Sequence, residues 1–294
     1  MASESWFASG ERVAVAFEGG VFEVFCRTAG SGPLLTFLHG FPTSSWDWAG
    51  VVAALEPRFR CLCFDFLGFG DSDKPRRHRY SLHEQADLTE ALWSSLDVRE
   101  TGLVAHDYGA TVAQELIARH DEGALGVRLS RAVLLNAAVY VELARPLLVQ
   151  RLLVGPAGPL VACVVNERVF ASSFSSVFSE THPVGEEEVR EHWRVLERRG
   201  GTAPVSHLLS RYMADRKRHA ARWEAALERA TVPLHFVWGM ADPRSGARIA
   251  ERIRERIPGA TLAELAGVGH YPQLEVPDLV ARQIAAVAHA RSSS

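Results

Sequence analysis

The chain has 294 residues, of which 47% are hydrophobic, so it can bury a large core, and we predict one catalytic domain that carries an insertion. The chain has 32 lysines and arginines and 35 aspartates and glutamates, which gives a formal net charge of −3. Because no segment is strongly basic, we expect a small apolar substrate and no nucleic-acid partner. No apolar stretch reaches the roughly 18 residues of a membrane span, and the start lacks a secretory signal, so we expect a cytoplasmic protein without a membrane partner. We expect it to be a monomer or a homodimer.

The chain opens with a predicted β-hairpin, in which Arg12–Phe17 and Val21–Cys26 flank a glycine-rich turn. Continuous apolar runs then predict strands that are covered on both faces of a sheet, namely Leu34–Leu38, Arg60–Phe64, Gly102–Ala105, Ala132–Leu135, Leu234–Trp238 and Thr261–Leu265. Helical patterns lie between them, at Leu82–Leu96, Ala110–Arg119 and Arg244–Ile257. This alternation predicts an α/β fold with a mostly parallel, doubly wound sheet of about eight strands.

The strand pattern disappears between residues 140 and 230, where helical spacing over Glu186–Arg199 and Val205–Arg229 takes its place. We interpret this segment as a helical cap that closes over a site; the alternative is a loosely attached helical domain without a catalytic role. The predicted division is therefore 1–139 and 231–294 for the core and 140–230 for the cap. The basic run Arg216-Lys217-Arg218-His219 is expected to be the solvated face of a cap helix.

The four cysteines do not suggest a disulfide framework or a metal site, and we predict no cofactor. Cys61 and Cys63 alternate along a predicted buried strand, where thiols act as small apolar residues. The polar tail Arg291–Ser294 is expected to be disordered.

The central motif is Leu103–Ala110, which predicts a strand, a sharp turn and a helix. In the serine version of this turn, G-x-S-x-G, small flanking residues allow a strained backbone that presents a nucleophile above the sheet. Asp107 occupies the nucleophile position. The backbone N–H groups of Tyr108 and of Phe41, in the loop after the Leu34–Leu38 strand, are the predicted oxyanion hole. The competing interpretation makes Asp107 only a helix N-cap.

Two further side chains complete a predicted triad. Asp242 follows the Leu234–Trp238 strand, and His270 follows the last predicted strand. The order nucleophile, acid, histidine is that of α/β-hydrolases, and both residues lie where parallel sheets build their sites. Glu142 is the alternative acid, and Asp242 would then only open a turn.

Five motifs together resemble the epoxide hydrolase and haloalkane dehalogenase branch of the α/β-hydrolases, and most closely the mesoderm-specific transcript proteins, an epoxide-hydrolase-like subgroup. They are HGFPTSSWDW at His39–Trp48, DFLGFGDSDKP at Asp65–Pro75, HDYG at His106–Gly109, GHYP at Gly269–Pro272 and YPQLE at Tyr271–Glu275. The resemblance extends from about Leu34 to Pro277. It implies an α/β-hydrolase fold with an inserted helical cap.

An aspartate nucleophile predicts attack on an electrophilic sp³ carbon, followed by hydrolysis of the resulting ester by water that His270 activates. The resemblance implies a cap tyrosine as the acid that opens an epoxide, and Tyr212 is in the matching place. Dehalogenases of this branch usually have Trp and Asn where this chain has Tyr108 and Phe41. Epoxide hydrolysis is therefore the first hypothesis, with haloalkane dehalogenation and a non-catalytic ligand-binding protein as alternatives.

Overall fold

A computed structural model describes residues 1–288, so the tail Arg291–Ser294 lies outside the described residues. Its strands are β1 (Glu11–Phe17), β2 (Gly20–Ala29), β3 (Leu34–Leu38), β4 (Arg60–Phe64), β5 (Glu100–His106), β6 (Arg128–Leu135), β7 (Leu234–Gly239) and β8 (Thr261–Leu265). They form one sheet in the order β1-β2-β4-β3-β5-β6-β7-β8. Strands β1 and β2 pair antiparallel as the predicted hairpin, β2 pairs antiparallel with β4, and the remaining pairs are parallel. The predicted mostly parallel α/β sheet is confirmed.

The helices, in chain order, are α1 (Ser3–Ala8), α2 (Ala49–Leu55), α3 (Leu82–Ser95), α4 (Tyr108–Asp121), α5 (Leu148–Val154), α6 (Gly158–Val164), α7 (Glu167–Ser175), α8 (Glu186–Glu197), α9 (Ser206–Leu209), α10 (Tyr212–Glu228), α11 (Ala247–Arg256), α12 (Pro272–Glu275) and α13 (Pro277–Ala288). Apolar cores lie on both faces of the sheet. Helices α3, α4 and α11 cover one face, and α1, α2 and α13 cover the other. Neighbouring β5 residues alternate between the two cores, because side chains of a strand point to opposite faces: Leu103 and Ala105 enter one core and Val104 enters the other.

Helices α5 to α10 all lie between β6 and β7, and residues 140–230, which we assign to the cap, contain no strand. The sequence pattern differs from this arrangement in two places. The predicted helix over Glu186–Arg199 ends at Glu197, because the ψ of 145° at Arg198 and the φ of 51° at Arg199 both lie outside the right-handed helical region. The predicted helix over Val205–Arg229 is divided into α9 and α10 by a turn at residues 210–211. The cap bounds 140–230 stay a prediction.

Within residues 1–288, no helix is both long and apolar enough to cross a bilayer. The four cysteines are free thiols, of which only Cys163 is exposed. Burial raises the pKa of Cys61 to about 12, so this thiol stays protonated. Cys61 and Cys63 therefore act as apolar packing residues in β4, as predicted.

Candidate active site

Asp107 lies between the end of β5 and the start of α4, in a backbone conformation that is uncommon for a residue with a side chain. Its φ is 42° and its ψ is −103°. Gly109 makes the sharp turn possible, because a Cβ there would lie 2.5 Å from the carbonyl oxygen of Leu38. The Gly109 N–H donates to the His39 carbonyl at 3.0 Å, which fixes the elbow to the loop after β3. The strained conformation matches that of a nucleophile elbow.

His270 and Asp242 form a buried, directly hydrogen-bonded pair. His270 Nδ1 lies 2.8 Å from Asp242 Oδ2. The carboxylate also accepts from Asn136 Nδ2 at 2.9 Å, from the Arg244 N–H at 2.7 Å and from the Ser245 hydroxyl. Because an ionised carboxylate only accepts, His270 carries its proton on Nδ1 and leaves Nε2 free to take a proton.

The two charges of this pair control each other. Burial would raise the pKa of Asp242, but the His270 charge and the hydrogen bonds outweigh it and lower the pKa well below its ordinary value. Burial would lower the pKa of His270, but Asp242, followed by Asp107, outweighs it and raises the pKa. The imidazole is therefore a stronger base than a free histidine.

Asp107 is 7% exposed, and its carboxylate has two kinds of partner. The Phe41 N–H donates to Oδ2 at 3.2 Å. The Tyr108 N–H, which opens α4, has no acceptor among residues 1–288 and remains available as a second donor. One carboxylate oxygen, Oδ2, thus lies beside the predicted oxyanion hole, whereas Oδ1 does not accept from the Phe41 N–H.

Arg216 is the second partner, and the prediction that its basic run forms a solvated face was wrong at this position. Arg216 is 6% exposed, and its Nη2 donates to the Asp107 carbonyl oxygen at 2.9 Å and lies 3.4 Å from Oδ1. Its Nε donates to Thr111 Oγ1 at 2.8 Å. Arg216 lies one turn after Tyr212 and two turns before Trp223, on the buried face of α10. This spacing was visible in the sequence and could have identified Arg216, whereas the basic composition of the run indicated solvent.

Arg216 determines the charge state of the Asp107 carboxylate. Burial would raise the pKa of Asp107, but Arg216, followed by His270, outweighs it and lowers the pKa. The guanidinium is held over the Tyr212 ring, 4.6 Å from its centroid. Asp107 is therefore ionised at neutral pH despite its burial.

His106 supports the loop that carries His270. It is fully buried, its Nε2 lies 2.8 Å from the His270 carbonyl oxygen, and its Nδ1 lies 3.0 Å from Gln273 Nε2. Burial is the main cause that lowers the pKa of His106 to about 3, so the ring is neutral, donates through Nε2 and accepts through Nδ1. His106 thus fixes the backbone beside the His270 and Asp242 pair.

A cavity of about 420 Å³ lies between the elbow and the cap helices. Asp107, His270 and Tyr212 all line it. The Tyr212 hydroxyl accepts from Gln150 Nε2 at 3.1 Å. Burial, followed by the Asp107 charge, raises the pKa of Tyr212, so the phenol keeps its proton. No group of three or more His, Cys, Asp or Glu side chains in residues 1–288 could hold a metal ion.

Glu142 lies apart from the histidine. Its side chain is exposed and accepts from Arg252 Nη1 at 2.8 Å, whereas His270 is bonded to Asp242. Tyr140 lies at the edge of the predicted cap, and its hydroxyl donates to Glu228 Oε1 at 3.3 Å. Neither side chain joins the arrangement around Asp107.

Residues 33–277 match the family described as alpha/beta hydrolase fold. LipZ from Mycobacterium tuberculosis is 41% identical over 258 residues, which cover 87% of this chain and 89% of LipZ. The mesoderm-specific transcript homolog protein from Homo sapiens is 37% identical over 284 residues, which cover 94% of this chain and 84% of that protein. The crystal structure of haloalkane dehalogenase DbeA from Bradyrhizobium elkani USDA94 has a TM-score of 0.81 at 22% identity, over 97% of this chain and 99% of that one. The resemblance that the motifs carry is confirmed.

Proposed function

The chain belongs to the alpha/beta hydrolase fold family, and we propose that it is a hydrolase whose Asp107 attacks an electrophilic carbon and forms a covalent ester. The observation that carries this proposal is the position of the Asp107 carboxylate, at a strained elbow with one oxygen on the Phe41 N–H. The hydrogen-bonded His270 and Asp242 pair, which lines the same cavity through His270, supplies the base for the second step.

The substrate that we favour is an epoxide. In the first step Asp107 Oδ1 bonds to a ring carbon, the carbon–oxygen bond of the ring breaks, and the departing oxygen takes the proton of the Tyr212 hydroxyl. In the second step His270 Nε2 takes a proton from water, whose oxygen adds to the carboxyl carbon of Asp107, and the Phe41 and Tyr108 N–H groups stabilise the oxyanion. The ester bond then breaks, the diol oxygen takes the proton from His270, and the acid proton of Asp107 returns to Tyr212.

Haloalkane dehalogenation is the second candidate, and the observation that favours it is the buried Arg216 guanidinium, 3.4 Å from Asp107 Oδ1. A halide departs without a proton, so a fixed cation close to the reacting carbon could stabilise it. The non-catalytic alternative has less support, because ligand binding alone would not require a strained nucleophile beside a paired base.

A substrate screen tests the proposal. Terminal, styrene-type and long-chain epoxides are incubated beside bromoalkanes of matched chain length, and diol and bromide release are measured. We expect diol release to be the faster reaction. Bromide release without diol formation would select the dehalogenase, and the absence of both products across the series would contradict the proposed function.

Tyr212 provides a test of the leaving group. We expect Tyr212→Phe to lower the rate of epoxide opening by on the order of 10²–10⁴-fold, the usual size of a general-acid effect, and to change bromoalkane turnover much less. The ratio of the two rates is the measurement, with Tyr140→Phe as the matched control at the cap edge. Equal effects on both substrates would make Tyr212 a packing residue.

Asp242 provides a test of the base. We expect Asp242→Asn to lower the rate by on the order of 10⁴-fold, because an amide favours the wrong His270 tautomer, while Glu142→Gln retains nearly full activity. Asp242 raises the pKa of His270, which must be neutral to activate water. The low-pH limb of the residual activity should therefore move to lower pH in Asp242→Asn, a shift that a purely structural role would not cause. A larger loss in Glu142→Gln would move the acid to Glu142.

A further inference from the structure

The cavity above Asp107 has an excess of positive charge. Its basic lining residues are Arg145, Arg216, Lys217 and Arg244, and its acidic lining residues are Asp107 and Glu142. The chain as a whole has a formal net charge of −3, so the excess is a local property of the cavity. Glu142 is in addition paired with Arg252, outside the lining. A cavity of this kind attracts anions.

One hydrogen-bond donor of Arg216 has no acceptor among the described residues. Its Nε and Nη2 are used by Thr111 and Asp107, but Nη1 makes no hydrogen bond among the described residues. Because the guanidinium lies 3.4 Å from the attacking oxygen Oδ1, an anion on Nη1 would lie close to the reacting carbon. The Arg216 guanidinium is thus placed to bind a negatively charged group beside the electrophilic carbon of the substrate.

Arg244 has a buried donor that lacks an acceptor. Its Nη2 is inaccessible to solvent and has no hydrogen-bond partner within residues 1–288. The Asp242 carboxylate accepts from the backbone N–H of Arg244 and is otherwise used by His270, Asn136 and Ser245. Because this nitrogen is closed to the cavity, a bound carboxylate would meet Arg244 through the part of the side chain that lines the cavity.

The rest of the lining is apolar. On the cap side it consists largely of aliphatic and aromatic side chains, among them Leu153, Val169, Phe170, Phe174 and Leu196. A volume of about 420 Å³ accommodates a body of drug-like or medium-chain size. The cavity is therefore positively charged beside Asp107 and apolar on the cap side.

We propose that the substrate carries a carboxylate next to its electrophilic carbon, bound by Arg216 and Arg244, and an alkyl body that occupies the apolar cap side of the cavity. This inference rests on the proposed function, in that it assigns the substrate class of the same site. A 2,3-epoxyalkanoate has this chemistry. An arginine is suited to the role because its planar guanidinium matches the two oxygens of a carboxylate.

Binding of unreactive probes tests the inference without any reaction. Octanoate and octanamide have the same length and differ in charge, and neither contains an electrophilic sp³ carbon. We expect calorimetry at neutral pH and low salt to give octanoate an affinity at least about 10-fold higher than octanamide, with a preference that falls as salt is added. Arg244→Gln should reduce this preference to less than about 3-fold, and Arg244→Lys, which keeps the charge, should restore part of it.

The matched control is Arg218→Gln, which removes an exposed arginine from the same basic run of α10 and outside the cavity lining. This variant should keep the full preference for octanoate. Equal affinities of the two probes for the wild-type chain would overturn the inference, as would a preference that Arg244→Gln, shown to be folded by circular dichroism, leaves unchanged.

A turnover experiment separates this inference from the proposed function. Hydrolysis of 2,3-epoxyoctanoate should exceed that of 2,3-epoxyoctanamide by about 10-fold or more in kcat/KM. Octanoate preference without hydrolysis of either of these epoxides or of any epoxide in the substrate screen supports the anion site and overturns the epoxide hydrolase. Hydrolysis of both epoxides at equal kcat/KM supports the hydrolase and overturns the anion site.

Discussion

Replacing Asp107 by alanine is expected to lower turnover by on the order of 10⁴–10⁶-fold while leaving the fold intact. The loss is large because the nucleophile has no substitute: Glu142, the other carboxylate on the cavity lining, is paired with Arg252. The fold should persist at a lower stability, because Arg216 loses the nearby carboxylate but keeps its bonds to the residue 107 carbonyl and to Thr111. Steady-state kinetics and thermal unfolding are the two measurements.

Glu142→Ala is the control for Asp107→Ala, since it removes a carboxylate from the same cavity and should retain nearly full activity. Asp107→Asn is a weaker test, because hydrolysis of the amide in such a site could regenerate aspartate over time. Turnover within 10-fold of wild type in Asp107→Ala, as an order-of-magnitude limit for a nucleophile, would refute covalent catalysis by this residue.

His270→Ala should convert the enzyme into one that reacts once and stops. In the proposed mechanism Asp107 alone performs the alkylation and His270 activates water only for the second step, so the ester should accumulate. Intact-protein mass spectrometry after addition of an epoxide should show a gain equal to the mass of the epoxide, and proteolysis should place it on the peptide that contains Asp107. An unchanged mass would mean that water attacks the epoxide directly.

Two controls make this result specific. The double variant Asp107→Ala/His270→Ala should gain no mass, because the other carboxylates of the chain are not at the elbow. In ¹⁸O-water, a single turnover of the wild-type chain should place the label in the Asp107 carboxylate and leave the first diol unlabelled. Label in that diol, with an unlabelled Asp107, would reduce Asp107 to a general base.

The sequence by itself determined the sheet and the elbow. Continuous apolar runs predicted six strands within one or a few residues of their ends, because strands buried on both faces leave no polar alternation. The predicted burial on both faces was wrong for β8, which lies at the edge of the sheet and is partly exposed. The small residues around Asp107 predicted a strained turn, since that conformation depends on local sterics. These features rest on neighbours in the chain and are therefore visible without a structure.

Only the tertiary structure decided which distant side chains meet. The sequence left Asp242 and Glu142 as rival partners, and the structure places Asp242 on His270, because β7 and β8 are adjacent in the sheet and the loops at their ends face each other. Basic composition indicated solvent for Arg216, yet α10 packs with this residue toward the elbow. A charged side chain is buried when a partner from another element offsets its desolvation, and that partner, Asp107, lies 109 residues away in the chain.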